Sequence, residues 1–202
     1  MFNLFRRKTS QTISFEEQLR VLDNCGISLC ANVAPESLLK VYSREEYEQD
    51  PFELLLCAMG GEPEDEGEAG ASGYRSDSIW HFDTECIEDH GSYVAIARRL
   101  AVLAHPELPI EDVQDYVDVE QEEAWLSFKL DGRTEKWIAV VNDDWVDTTV
   151  FARFAALLEK RSVKRFTYID LGGGQDCLIG CATPAQRKAL MKATNLQVEW
   201  LR

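Results

Sequence analysis

Residues 124–158, AWLSFKLDGRTEKWIAVVNDDWVDTTVFARFAALL, decide the fold. Asp131-Gly132 separates two runs of strand character, and a two-residue type I′ turn needs positive φ at both central positions, which Asp and Gly accept. That turn fixes one register: Leu130 opposite Arg133, Phe128 opposite Glu135, Leu126 opposite Trp137 and Ala124 opposite Ala139. One face is then apolar away from the turn and charged beside it. An acidic loop containing Trp145 follows. Behind it Val150, Phe151, Phe154, Leu157 and Leu158 recur at helical spacing, with Asp147 or Thr148 as the cap. The stretch predicts strand, turn, strand, loop and core-facing helix.

Downstream, Lys164 to Leu171 and Asp176 to Ala182 read as strands joined by Gly172-Gly173-Gly174. The glycines suggest a hairpin turn rather than a phosphate loop, because no G-x-x-x-x-G-K-[ST] pattern or helix follows. Thr183-Pro184-Ala185-Gln186 has capping-box spacing with proline at the first helical position, which opens a helix to about Thr194. Val198 and Trp200 then share one side of a last strand. Upstream, Asp115 to Glu120 is a strand, Gly91 to Ala104 a helix and Ser78 to Phe82 a strand. Short helices are expected after Ser14, Pro35, Ser43 and Asp50-Pro51, and Gly60 to Gly73 reads as a flexible acidic loop.

The expected class is α+β, an antiparallel or mixed sheet with helices packed mainly on one face. Residues 1–13 form a loose N-terminal tail and residues 14–202 a single domain. Within it lie a helical part (14–60), the acidic loop (60–73) and a sheet-forming part (78–202), with one sheet running from Tyr116 to Trp200.

The 202 residues include 36 acids against 21 bases, a formal net charge of −15. Such a balance argues against nucleic-acid binding, which requires clustered Lys and Arg. The acid is not spread evenly: Arg44 to Asp89 carries a net −13 and Glu107 to Glu123 a net −8, while Phe151 to Arg202 carries +5. An acidic docking face for a basic protein is the sharper interpretation, and a solubilising coat the plainer one. The N-terminus has no secretory pattern, and no apolar run reaches the length of about 20 residues needed to span a membrane. Six cysteines in this setting read as reduced thiols, and the expected compartment is the cytoplasm.

No cofactor or metal is called for. His81, Cys86 and His90 lie close together among acids, but their spacing lacks the paired short intervals of structural zinc sites. A Cys/His hydrolase using Cys86 or His81 is the alternative function, and a structural or assembly protein a second one. Asp143, Asp144 and Asp147 surround Trp145 in one of two ways. Either the tryptophan plugs the core while the aspartates cap the following helix, which is preferred, or the aromatic and its acids form an exposed patch. Together with Asp115, Asp118 and Glu120 these are the candidate partner-binding residues.

The segments DTECIEDHGSY (83–93), VVNDDWVD (140–147) and GQDCLIG (174–180) with TPAQRKAL (183–190) resemble an uncharacterised bacterial family similar to the immunity proteins of polymorphic toxin systems. The resemblance extends in general layout over Cys25 to Arg202. It implies a small cytoplasmic α+β protein that binds and neutralises a cognate toxin without catalysis, and it transfers no binding residue.

Overall fold

The computed structural model describes residues 13–202; residues 1–12, most of the expected N-terminal tail, lie outside the described residues. At the hairpin, β3 (Glu123–Leu130) and β4 (Arg133–Ala139) pair antiparallel in the register read from the turn, from Leu130–Arg133 to Ala124–Ala139. Asp131 and Gly132 take φ of 50° and 73°, as a type I′ turn requires. Ala124, Leu126, Phe128 and Leu130 are buried on one face. β2 (Ile110–Asp118) pairs along the other side of β3, with a register shift between Glu111 and Gln114, and completes a three-stranded sheet in the order β2-β3-β4.

The remaining strands form a separate sheet, which corrects the expectation of one sheet from Tyr116 to Trp200. β1 (Ile79–Asp83), β5 (Arg165–Asp170), β6 (Asp176–Ala182) and β7 (Glu199–Trp200) assemble in the order β1-β6-β5-β7, all antiparallel. The physical reason is that β5 and β6 find partners at both edges without the first hairpin. β1 pairs with β6 from Ile79–Gly180 to Asp83–Asp176, across a long span of chain. The α+β class stands, as two antiparallel sheets with helices packed against them.

Period two explains how the four-stranded sheet is clothed. Ile79, Leu178 and Ile169 join a cluster with the N-terminal helices α1 (Phe15–Asn24), α2 (Arg44–Gln49) and α3 (Glu53–Gly60). Their neighbours Trp80, Phe82, Cys177, Ile179 and Phe166 join the opposite cluster, with α4 (Ser92–Leu103) and α5 (Thr148–Glu159). α5 pins the two sheets together through two adjacent rings. Phe151 meets Phe82 of β1 at 5.2 Å, and Phe154 stacks on Phe128 of β3 at 5.4 Å and meets Trp137 of β4 edge-on at 4.9 Å. α6 (Pro184–Thr194) opens on the expected capping box, with Thr183 and Gln186 each bonding the other's backbone.

In the N-terminal part, fully buried Gln18 joins three segments with all its polar atoms engaged. Its Nε2 donates to the carbonyls of Ile13 (3.0 Å) and Tyr47 (2.7 Å), and its Oε1 accepts the Phe52 amide at 2.9 Å. Ile13 therefore belongs to the packed protein rather than to a tail. The acidic loop after α3 is also held down where free chain was expected. Asn32 donates to the Ala69 carbonyl and Tyr74 to Glu62, each at 2.7 Å, and Glu68 pairs with Lys40 and Arg75.

Candidate functional site

Three acidic segments converge at the end of the three-stranded sheet away from the Asp131-Gly132 turn. The Ile87 amide donates to the Asp144 carbonyl at 2.9 Å and the Val146 amide to the Thr84 carbonyl at 2.9 Å, so residues 84–87 and 144–146 make a short antiparallel ribbon centred on Glu85 and Trp145. Thr84 in turn donates to the Gln175 carbonyl beside β6. The loop Asn142–Asp147 is thus a splice between the two sheets. The third segment arrives through β2: both oxygens of Asp115 accept amides at the start of α4, from Gly91 at 2.7 Å and Val94 at 3.0 Å. Gly91 has no side chain to cap the helix, and the neighbouring strand supplies the carboxylate instead.

Within these segments, Asp83–Gly91, Asp115–Glu123 and Asn142–Asp147, there is no Lys or Arg. Asp143, Asp144 and Glu120 are exposed, and Asp118 and Glu123 stand opposite each other at the end of β2 and β3. Such an arrangement creates a negative potential that falls off over about 8–10 Å at physiological salt. Trp145 is 39% exposed. It does not plug the core, contrary to the preferred expectation, because its backbone is committed to the ribbon and Val146 beside it takes the inward position.

The candidate residues separate by what their carboxylates already do. Asp147 is buried and leaves the surface set: its Oδ1 accepts the Thr149 amide and caps α5, its Oδ2 accepts the Val140 amide, both at 2.9 Å, and its own amide donates to the Tyr93 hydroxyl. Burial opposes ionisation there, yet these amides hold the carboxyl below the usual aspartate range. Asp115 is a positioning residue for α4. Asp118 organises the following turn by accepting the Gln121 amide and side chain, each at 2.9 Å. Asp143, Asp144, Trp145 and Glu120 keep their side chains turned to solvent.

His81, Cys86 and His90 are not gathered into one cluster. His81 lies on β1 between Trp80 and Phe82, so it points to the opposite face from theirs, where it sits 3.4 Å from Asp176 and lines a cavity with Cys57. Cys86 packs against the cluster beneath α4 and α5, the far side of that sheet, and His90 lies against Tyr116. Among the described residues no group of three or more His, Cys, Asp or Glu side chains is arranged to hold a metal ion. Burial pushes the Cys86 thiol up to about 11 and the Cys57, Cys177 and Cys181 thiols up to about 12, which keeps them protonated.

The apolar and aromatic outward positions of the three-stranded sheet, beside Asp118, are not among the sequence candidates. Tyr116, Trp125 and Ile138 lie side by side across β2, β3 and β4, and Ile138 and Val140 are 66% and 67% exposed. The register quoted from the turn already contained the signal: once Leu126 and Phe128 face the core, Trp125 and Ile138 must face away from it.

No family model, curated protein or solved structure gives a significant match to the chain. No helix among the described residues is long and apolar enough to cross a membrane.

Proposed function

We propose that this chain is a non-catalytic, stoichiometric protein-binding module of the immunity type, which neutralises a basic partner such as a toxin domain in the cytoplasm. The observation that carries the reading is the convergence of three base-free acidic segments, one of which bears the partly exposed Trp145, on a frame tied by backbone and carboxylate–amide hydrogen bonds. An acidic end steers a basic protein by long-range attraction, and an aromatic side chain on it supplies the apolar contact that attraction lacks. The alternative, a small hydrolase using Cys86 or His81, has less support: His81 faces away from the cluster against which Cys86 packs, and burial pushes the Cys86 thiol up to about 11.

The test is affinity capture from the source cell at low salt, followed by calorimetry on the purified partner. The expected partner is basic, binds with 1:1 stoichiometry, and loses at least about tenfold in affinity when Asp143 and Asp144 are both changed to Lys. Binding that is indifferent to salt and to this charge reversal overturns the reading.

A further inference from the structure

The outer face of the three-stranded sheet carries a contiguous aromatic strip. Val117, Ala124, Leu126 and Ala139 point inward and are buried, so Tyr116, Trp125 and Ile138, one position along in each strand, point outward in a row. The Tyr116 and Trp125 rings are stacked, 6.2 Å apart at 12°, and His90 adds a third ring 4.8 Å from Tyr116. Ile138 on the edge strand β4 and Val140 just past its end continue the strip. The helices packed on this sheet, α4 and α5, lie on its inner face with the buried side chains. Aromatic and branched side chains gathered on an open sheet face mark a contact surface.

The chemistry of the strip is written in its own neighbours. The Lys136 ammonium lies 3.9 Å from the centre of the Trp125 ring, so the outward face of that ring already holds a cation. One row further along, Asp118 and Glu123 stand opposite each other. Successive outward rows of a sheet are about 7 Å apart, the same spacing as alternate residues of an extended chain. A cation over Trp125 and a second one two residues on, over the Asp118–Glu123 pair, therefore fit one extended segment. Of the two basic side chains, arginine suits the ring better, because its guanidinium is planar and weakly hydrated and stacks on aromatic faces.

Resting on the protein-binding reading above, we infer that this strip is the half of the docking surface that confers specificity. Its occupant is an extended segment of the basic partner with arginines at alternate positions. One guanidinium displaces the Lys136 ammonium from Trp125, and the next pairs with Glu123, beside the Asp118 carboxylate that Gln121 and Tyr116 already engage. A second copy of this chain is the opposed occupant, since two acidic ends of a protein with a net charge of −15 repel each other.

The probe is a fluorescein-labelled peptide Arg-Thr-Arg-Thr-Arg-Thr-Arg, read by anisotropy at low salt against the same peptide with lysines. The arginine peptide is expected to bind more tightly. Trp125→Ala should weaken it about tenfold, Trp125→Phe should restore most of that loss, and Lys136→Thr should tighten binding by freeing the ring. Asp143→Asn with Asp144→Asn should weaken both peptides alike. If Trp125→Ala leaves affinity unchanged while the aspartate changes weaken it, the acidic docking reading stands and the aromatic inference falls. Failure of both peptides to bind overturns both. Sedimentation supplies the last arm: a dimer dissolved by Ile138→Glu assigns the strip to a second copy and overturns the inference.

Discussion

Asp147 accepts the Val140 amide at 2.9 Å through one carboxylate oxygen while the other caps α5, so a single side chain latches the end of β4 to the helix that pins both sheets. Asp147→Ala leaves two amides without their acceptor and should cost about 2 kcal/mol, more than a typical lost cap. Asp147→Asn keeps one acceptor oxygen and should cost less. The carboxyl is pushed up by burial but held below the usual range by the Val140 and Thr149 amides, so its folded pKa is depressed. Its contribution is complete above the unfolded value of about 3.9 and is lost as pH falls through the folded one. Urea midpoints of wild type and Asp147→Asn should therefore converge below about pH 4.

Arg99 on α4 is buried beneath the strand that begins at Ile79. Its Nη2 donates to the carbonyls of Ser76 at 2.7 Å and Ile79 at 2.6 Å, and its guanidinium lies 3.7 Å from the centre of the Tyr74 ring. Arg99→Ala strands two carbonyls and opens a cavity, at an expected cost of about 3 kcal/mol in thermal or chemical unfolding. Arg99→Lys retains a charge but not the planar contact with Tyr74, and should recover only part of the loss.

Gly60 closes α3 against β1 with no room for a side chain. A Cβ there would lie 2.5 Å from the His81 nitrogen and 2.9 Å from the Trp80 carbonyl carbon, both backbone atoms that cannot swing aside. Gly60→Ala should destabilise by about 1–3 kcal/mol, the usual range for overpacking. Gly174→Ala is the control, since a Cβ meets nothing within 4 Å there. It should fall within about 0.5 kcal/mol of wild type.

The sequence makes local structure legible where one turn or cap decides it. Asp131-Gly132 set the register of β3 and β4, Ser43 and Thr183 announced reciprocal caps, and Asp147 announced α5. Phe128, Trp137, Phe151 and Phe154, readable as packing residues, form the ring contacts that join the sheets. The division into two sheets was not legible, because β1 and β6 pair across a long span that no local pattern encodes. The same holds for the Asp115 cap on α4, where the helix start is a glycine and the carboxylate comes from another strand. The candidate site is a product of such long-range contacts. Its acidic members could be named from composition, but their convergence depends on the ribbon between Glu85 and Trp145.

The thiols give a check on cysteine chemistry that does not depend on guessing a substrate. With Cys86 pushed up to about 11 and Cys57, Cys177 and Cys181 up to about 12, the thiolate fraction at pH 8 is about one in a thousand or lower at each. Desolvation is the first cause at all four, and nearby carboxylates reinforce it at Cys57, Cys86 and Cys177, among them Asp83 and Asp144 at Cys86. Iodoacetamide applied to the native protein at pH 8 should leave these four unmodified over times that fully alkylate a small free thiol. The unfolded protein should react at all six cysteines. The labelled positions can be mapped by mass spectrometry. Rapid, selective alkylation of Cys86 in the native protein would show a thiolate stabilised against its surroundings, and would return a nucleophilic cysteine to the ribbon between Glu85 and Trp145.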